Sequence, residues 1–229
     1  EALSAIIVFY EDKKEVIPLV LSIDSLEYDL SLAIKKIISK NIPTISFMTA
    51  SIPETKKSYS ETIKALEKQY NINVITYTDT ITPETKTLIV QKPINVTENY
   101  VIDQFIMQGG KTLFLIDSLN LHNGLQADPI TLRLNNQLNH YGIDIKNNII
   151  LDKSFSYAAF SGGFLSFTMP YPFWPKIIED NISKEHPSVS KLESFVLPWA
   201  TGVYPIDNQN DIKTSIIASS SPKSWTQGP

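Results

Sequence analysis

An α/β fold, built on a mostly parallel sheet with helices on both faces, is what this sequence predicts, and three observations predict it. Short β-rich apolar runs alternate with stretches of helical periodicity over residues 24–152. Three of the helical stretches open on Asp24, Ser58 or Asn95 with a Glu three residues later, the spacing of a capping box. At 229 residues, 42% of them apolar and 10% aromatic, the chain can bury a core large enough to offset its ordering entropy.

The chain opens with Ala5-Ile6-Ile7-Val8-Phe9-Tyr10 and Glu15-Val16-Ile17-Pro18-Leu19-Val20-Leu21 on either side of Glu11-Asp12-Lys13-Lys14, which reads as a β-hairpin over residues 1–23. Asp24 and Glu27 then cap a helix whose Leu26, Leu30, Ala33, Ile34, Ile37 and Ile38 share a face as far as Ser39. Residues 43–49 form a buried strand. Ser58 and Glu61 cap a second helix carrying Ile63, Leu66 and Tyr70, and residues 73–77 and 87–90 are the next two strands. Asn95 and Glu98 cap a third helix with Val101, Ile102, Phe105 and Ile106 inward, and Gly109-Gly110 end it. Residues 111–117 are a strand again. Asp128-Pro129 has the form of an N-cap followed by proline at the first helical position, with Ile130, Leu134 and Leu138 continuing to His140. Residues 149–151 would be the last strand of the series.

From residue 153 the texture changes. Phe155, Tyr157, Phe160, Phe164, Phe167, Tyr171, Phe173 and Trp174 crowd a stretch with Gly162-Gly163 and Pro170, Pro172 and Pro175, and short β-runs follow at residues 194–197 and 214–217. The expectation is one domain over 1–229: a hairpin (1–23), a βα core (24–152) and an irregular, aromatic-rich, β-containing extension (153–229) packing on that core. Those aromatics serve packing, a glycan-stacking surface or a docking patch, and their sequence does not separate the three.

Twenty Lys plus Arg against twenty-four Asp plus Glu leave a charge of −4, without the basic excess that counterion release on a nucleic acid rewards. With no cysteine there are no disulfides, thiolate metal sites or thiol nucleophiles, and only three histidines remain. No run reaches the roughly 18 apolar residues of a membrane helix, and Glu1-Ala2-Leu3 is not a signal peptide, so the expectation is a soluble piece of a larger protein.

Hydrolytic chemistry finds little support. No Gly-x-Ser-x-Gly elbow occurs, and Ser161 beside Gly162-Gly163 reads as a turn. His140 ends a helix, where an imidazole complements the terminal carbonyls, and His186 precedes Pro187 in a polar loop. His122 follows Asp117 at the carboxyl end of a strand, where open sheets place ligands. Neither a His-x-x-x-His or EF-hand metal pattern nor a phosphate-cradling glycine loop occurs, so no metal and no cofactor are expected.

Several segments, in order, carry a family resemblance: Ser25-Leu26-Glu27-Tyr28-Asp29-Leu30, Ile102-Asp103-Gln104-Phe105-Ile106-Met107-Gln108-Gly109-Gly110-Lys111, Leu138-Asn139-His140-Tyr141-Gly142-Ile143, Tyr171-Pro172-Phe173-Trp174-Pro175, and His186-Pro187 through Val196-Leu197-Pro198. Together they resemble the soluble domain of the GldG-like family, auxiliary components of ABC-type transport systems associated with bacterial gliding motility. The resemblance implies a flavodoxin-like sheet, similar to class I glutamine amidotransferases. It also implies a place on the extracytoplasmic (periplasmic) side of the inner membrane, anchored by helices outside these residues, beside an ABC-2-type permease and an ATPase. Amidotransferase chemistry does not carry over, because it needs a cysteine nucleophile.

Two functions follow. The first is a non-catalytic domain that binds a small molecule, a glycan or a protein partner and couples that contact to the permease and ATPase. Its ligand site would lie beyond the carboxyl ends of the strands, at Thr49, Ser51, Asp79, Gln91, Asp117, Ser118, Asn120 and His122. The second is a hydrolase acting on a cell-surface glycan or ester, with Asp117 and His122 as its acid–base pair.

Overall fold

A computed structural model describes residues 5–17, 26–39, 41–93, 100–122, 127–162, 165–206 and 212–228. The chain's contacts sort into two compact units, one of Glu1–Gln91 with Tyr100–Leu115, the other of Lys92–Asn99 with Ile116–Pro229. The fold is mixed α/β, with one parallel sheet and several antiparallel ones.

The first unit begins with the expected hairpin, β1 (Ile6–Tyr10) and β2 (Lys13–Ile17), paired from Ile6↔Ile17 to Tyr10↔Lys13. Glu11 turns it at a φ of 52°. Helix α1 (Leu26–Ile38) buries Ala33 and Ile37 and meets the hairpin through the Lys36–Glu15 ion pair. Residues 18–21 and the Asp24 cap lie outside the described residues.

Four strands follow: β3 (Thr44–Thr49), β4 (Asn71–Thr76), β5 (Thr85–Gln91) and β6 (Lys111–Leu115), all parallel, in the order β4-β3-β5-β6. Side chains alternate across this sheet, so adjacent residues serve opposite cores. Ile45, Phe47 and Ile89 pack with Ile63 and Leu66 of α3 (Ser60–Glu67) on one face. Met48, Ile75, Leu88 and Val90 pack with Ile102 and Phe105 of α4 (Tyr100–Met107) on the other. Helices thus cover both faces, as the alternating pattern requires, and every fully buried side chain of this kind contributes about 1.5–3 kcal/mol.

Local signals fare less evenly. Gly109, at a φ of 87°, ends α4 where a side chain would be strained. The Asn95–Glu98 cap lies outside the described residues. Ser58 caps nothing: it is the last residue of an additional helix, α2 (Ile52–Ser58), and α3 starts from Tyr59 with no side-chain cap. Pro53 in the first turn of α2 starts helical geometry before the Ser58 signal is reached.

The second unit is antiparallel. Strands β7 (Leu119–Leu121) and β8 (Ala127–Pro129) pair, so Asp128-Pro129 belongs to a strand and not to a helix start. The ladder continues when the Ile130 N–H donates to the Ser118 carbonyl, and helix α5 begins only at Asn135, ending at His140. Residues 149–151 are likewise not the last parallel strand. They end the nine-residue β9 (Ile143–Leu151), which pairs antiparallel with β13 (Thr201–Pro205) and β14 (Trp225–Gln227). The parallel series stops with β6, and β9 takes its partners from the end of the chain.

The aromatic stretch forms a long hairpin, β10 (Phe155–Gly162) with β11 (Leu165–Ile178), and β12 (Ser194–Val196) joins the far end of β11. Residues 214–217 are not a strand. That segment is tied down by a bridge between Ile182 and Ala218 and by Ser183 N–H donating to the Ile217 carbonyl.

Candidate functional site

The predicted site residues of the first unit sit at the carboxyl ends of its parallel strands, and their side chains bond one another. Thr49 ends β3 and is buried; its hydroxyl lies 2.8 Å from that of Thr55 in α2, which donates to Gln91 Oε1 at 2.7 Å. The Ser51 N–H donates to Thr49 Oγ1 at 3.3 Å. Tyr77 donates its phenol to the Gln91 carbonyl, and burial raises that phenol well above its ordinary pKa of 10.0. Asp79 stands apart. Its Oδ2 accepts from the Thr76 N–H at 2.7 Å and from the Thr76 hydroxyl at 2.8 Å, and those bonds hold the carboxyl below its ordinary value. Thr49, Ser51 and Gln91 are therefore brought together with Thr55, while Asp79 closes its own turn.

The second-unit candidates also have structural partners. Asp117 Oδ2 lies 3.0 Å from Lys92 Nζ, whereas His122 Nε2 lies 2.9 Å from Asp128 Oδ2. The proposed acid–base pair is not formed, since Asp117 and His122 each bond a different, nearer group. Ser118 is fully buried; its hydroxyl donates to the Lys146 carbonyl at 2.7 Å and lies 2.9 Å from Thr201 Oγ1. Asn120 is exposed, opposite Asp128 in the β7–β8 ladder. Among the described residues, no group of three or more acidic or imidazole side chains is placed to hold a metal ion.

What the strand-end rule does not nominate is a cleft of about 800 Å³ in the second unit. Its floor is Ile150, Pro175, Ile177 and Ala218, and its walls include Tyr204, Trp225, Ser219, Ser220, Ser224 and Thr226. Among the described residues, none that is charged lines it. Its size falls within the range of small-molecule sites, about 300–1,000 Å³.

Two local arrangements shape this cleft. Gly202 lies under Tyr204: a Cβ there would come within 2.6 Å of Asn148 Oδ1 and 2.8 Å of the Tyr204 ring. The glycine lets the phenol lie along the strand, while its N–H donates to Asn148 Oδ1 at 3.1 Å. On the opposite wall, Asp152 is fully buried and accepts from the N–H of Ser154 at 2.9 Å and of Ser221 at 2.7 Å, and from the Ser221 hydroxyl. A buried carboxylate held by several donors fixes the segment that carries Ser219, Ser220 and Ser224. The Ser220 and Ser224 hydroxyls are themselves 2.9 Å apart. Trp199, at a φ of 49°, holds the left-handed backbone that bulky residues seldom adopt, just before the cleft residues Ala200 and Thr201. Its ring packs edge-on against Trp174 at 5.6 Å between centroids. Tyr204 and Trp225 were legible only as isolated aromatics; the serine- and threonine-rich stretch around 219–226 was the available signal.

The family model described as "ABC-type uncharacterized transport system" matches residues 35–229. The chain belongs to this family of ABC transport auxiliary proteins. That agrees with the GldG-like resemblance carried by the ordered segments of the sequence. An uncharacterized protein of Borreliella burgdorferi is 30% identical over 240 residues, covering 97% of this chain and 46% of that relative. The chain thus spans about half the length of the relative it matches. No helix among the described residues of this transport auxiliary chain is long and apolar enough to cross a membrane.

Proposed function

We propose that this chain is a non-catalytic recognition domain of an ABC transport auxiliary protein of the GldG-like, gliding-motility-associated type. It binds its ligand in the uncharged cleft of the second unit and couples binding to an ABC-2-type permease and an ATPase. The observation that carries this proposal is a concave site walled by aromatic, aliphatic and hydroxyl side chains, with the nominated acid and base each bonded elsewhere. Recognition needs shape and hydrogen-bonding groups, which the cleft has; hydrolysis needs a nucleophile or activated water beside a base. Family membership supports the transport context, and the greater length of the Borreliella burgdorferi relative leaves room for membrane anchors outside these residues. The domain then stands on the extracytoplasmic face of the inner membrane. A flavodoxin-like plan for its parallel sheet is supported by the strand order, which in chain order runs second, first, third, fourth.

Affinity purification of the tagged full-length protein from detergent-solubilised membranes tests the coupling. A permease and an ATPase are expected to co-purify with it at a fixed ratio. Recovery of the protein without either, or turnover of fluorogenic glycosides or esters by the purified domain, would overturn the proposal.

A further inference from the structure

We infer that the ligand of the second-unit cleft is a neutral saccharide, its ring laid against Tyr204 and its hydroxyls bonded along the rim of Ser219, Ser224 and Thr226. This inference rests on the cleft being the recognition site and adds the chemical class of what it takes.

Charge is the first discriminator. Enclosing a phosphate or carboxylate without a cationic partner is costly, and among the described residues no Lys, Arg or His lines the cleft. A cationic ligand meets the same obstacle, because among the described residues no Asp or Glu lines it either. The described lining therefore favours an occupant that is uncharged where it meets these residues.

The distribution of polarity is the second. A purely apolar chain would match the floor of Ile150, Pro175, Ile177 and Ala218 but would leave the rim hydroxyls facing hydrocarbon. A pyranose ring has both characters: an axial face of C–H bonds and an equatorial edge of hydroxyls. Its C–H face, slightly positive, suits the negative face of an aromatic ring. Its hydroxyls both donate and accept, as do those of serine and threonine, so neutral partners suffice.

Pre-formation is the third. Tyr204 is 39% exposed, leaving ring surface for a ligand, and Trp225 is the strand neighbour of the cleft residue Thr226. Gly202 positions one ring, and the Asp152–Ser221 bonds hold the serine-bearing wall. Little ordering then remains to be done on binding.

The test uses the purified protein with its tryptophans replaced by 5-fluorotryptophan, titrated with maltose, cellobiose and N,N′-diacetylchitobiose and, separately, with myristate. Fluorine NMR separates Trp225 from Trp174 and Trp199, and Trp225→Phe assigns the signal. At least one disaccharide is expected to shift the Trp225 resonance saturably at millimolar concentration. Tyr204→Ala and Thr226→Ala should each weaken that disaccharide about tenfold, and Ser219→Ala serves if either fails to fold. A shift with myristate alone overturns the saccharide assignment and leaves a recognition cleft standing. No shift with any of the four probes overturns both. A saccharide shift at Trp174 or Trp199 that Tyr204→Ala and Thr226→Ala do not affect places the site elsewhere and overturns the inference.

Discussion

The two units use the same small polar residues to opposite ends. At the carboxyl ends of β3 and β5, Thr49, Thr55 and Gln91 bond to one another and Tyr77 closes over the Gln91 backbone, so the polar groups are satisfied internally. Around the second-unit cleft, Ser219 and Thr226 line an open space whose floor is apolar, while the Ser224 hydroxyl bonds that of Ser220. A hydroxyl at a strand end is thus evidence of a site only if nothing inside the fold already holds it. By that standard the strand ends of the first unit are scaffold, and the proposed recognition site of the second unit rests on Ser219 and Thr226.

The largest effect expected in the scaffold comes from Phe47→Ala. Phe47 is 1% exposed at the centre of the parallel sheet, and its loss should cost about 3–5 kcal/mol, read as a lower urea midpoint. A cost under about 1 kcal/mol would mean that the sheet core can refill the cavity and is looser than its burial indicates.

Next comes Asp152→Ala, which probes the wall of the cleft. Three donated bonds converge on this buried carboxylate, and removing it leaves the Ser154 and Ser221 N–H groups without their acceptor. About 3 kcal/mol of stability should be lost. Asp152→Asn, which retains one acceptor oxygen, should recover part of it. Equal thermal unfolding of all three proteins would show that the wall is held by packing alone.

Thr55→Val sharpens the contrast from the other side. Its methyl groups fill the same space, but the link between Thr49 and Gln91 is cut, at a cost of about 1–2 kcal/mol. If the strand ends of the first unit were a ligand site, this variant would instead abolish saccharide or other ligand binding while hardly changing stability.

Which parts of this were legible in the sequence follows from the range of the interactions. The strands of the parallel sheet announce themselves because Ile45, Phe47, Leu88, Ile89 and Val90 must fill cores on both faces, and the requirement is written within a few residues. The order of those strands depends on pairings between segments about 25 to 40 residues apart, and the pairing of β9 with β13 and β14 on segments more than fifty residues apart; neither leaves a local mark. Asp128-Pro129 has the right residues for a helix start, yet strand pairing with Leu119 overrides the propensity. The site followed the same division. Asp117 and His122 were nominated together because they are close in sequence, but their partners are Lys92 and Asp128. Asp152 carries no local signal because its meaning comes from Ser221, 69 residues away.

The smallest effect concerns Tyr77, and it depends on pH. Its buried phenol donates to the Gln91 carbonyl, and burial keeps it protonated well beyond the ordinary tyrosine value of 10.0. Below pH 10 the phenol is neutral in folded and unfolded chains alike, so its bond contributes its full share, about 1 kcal/mol. As pH climbs past 10 the unfolded chain releases the proton while the folded chain retains it. Unfolding then becomes easier with each further rise. Tyr77→Phe has neither the bond nor the proton. The wild type should therefore be the more stable protein at neutral pH, and its advantage should shrink in alkaline urea titrations as the other tyrosines cancel in the comparison. An advantage that stays constant to well above pH 10 would mean that water reaches this phenol, and that the polar end of the first sheet is open in the way the second-unit cleft is.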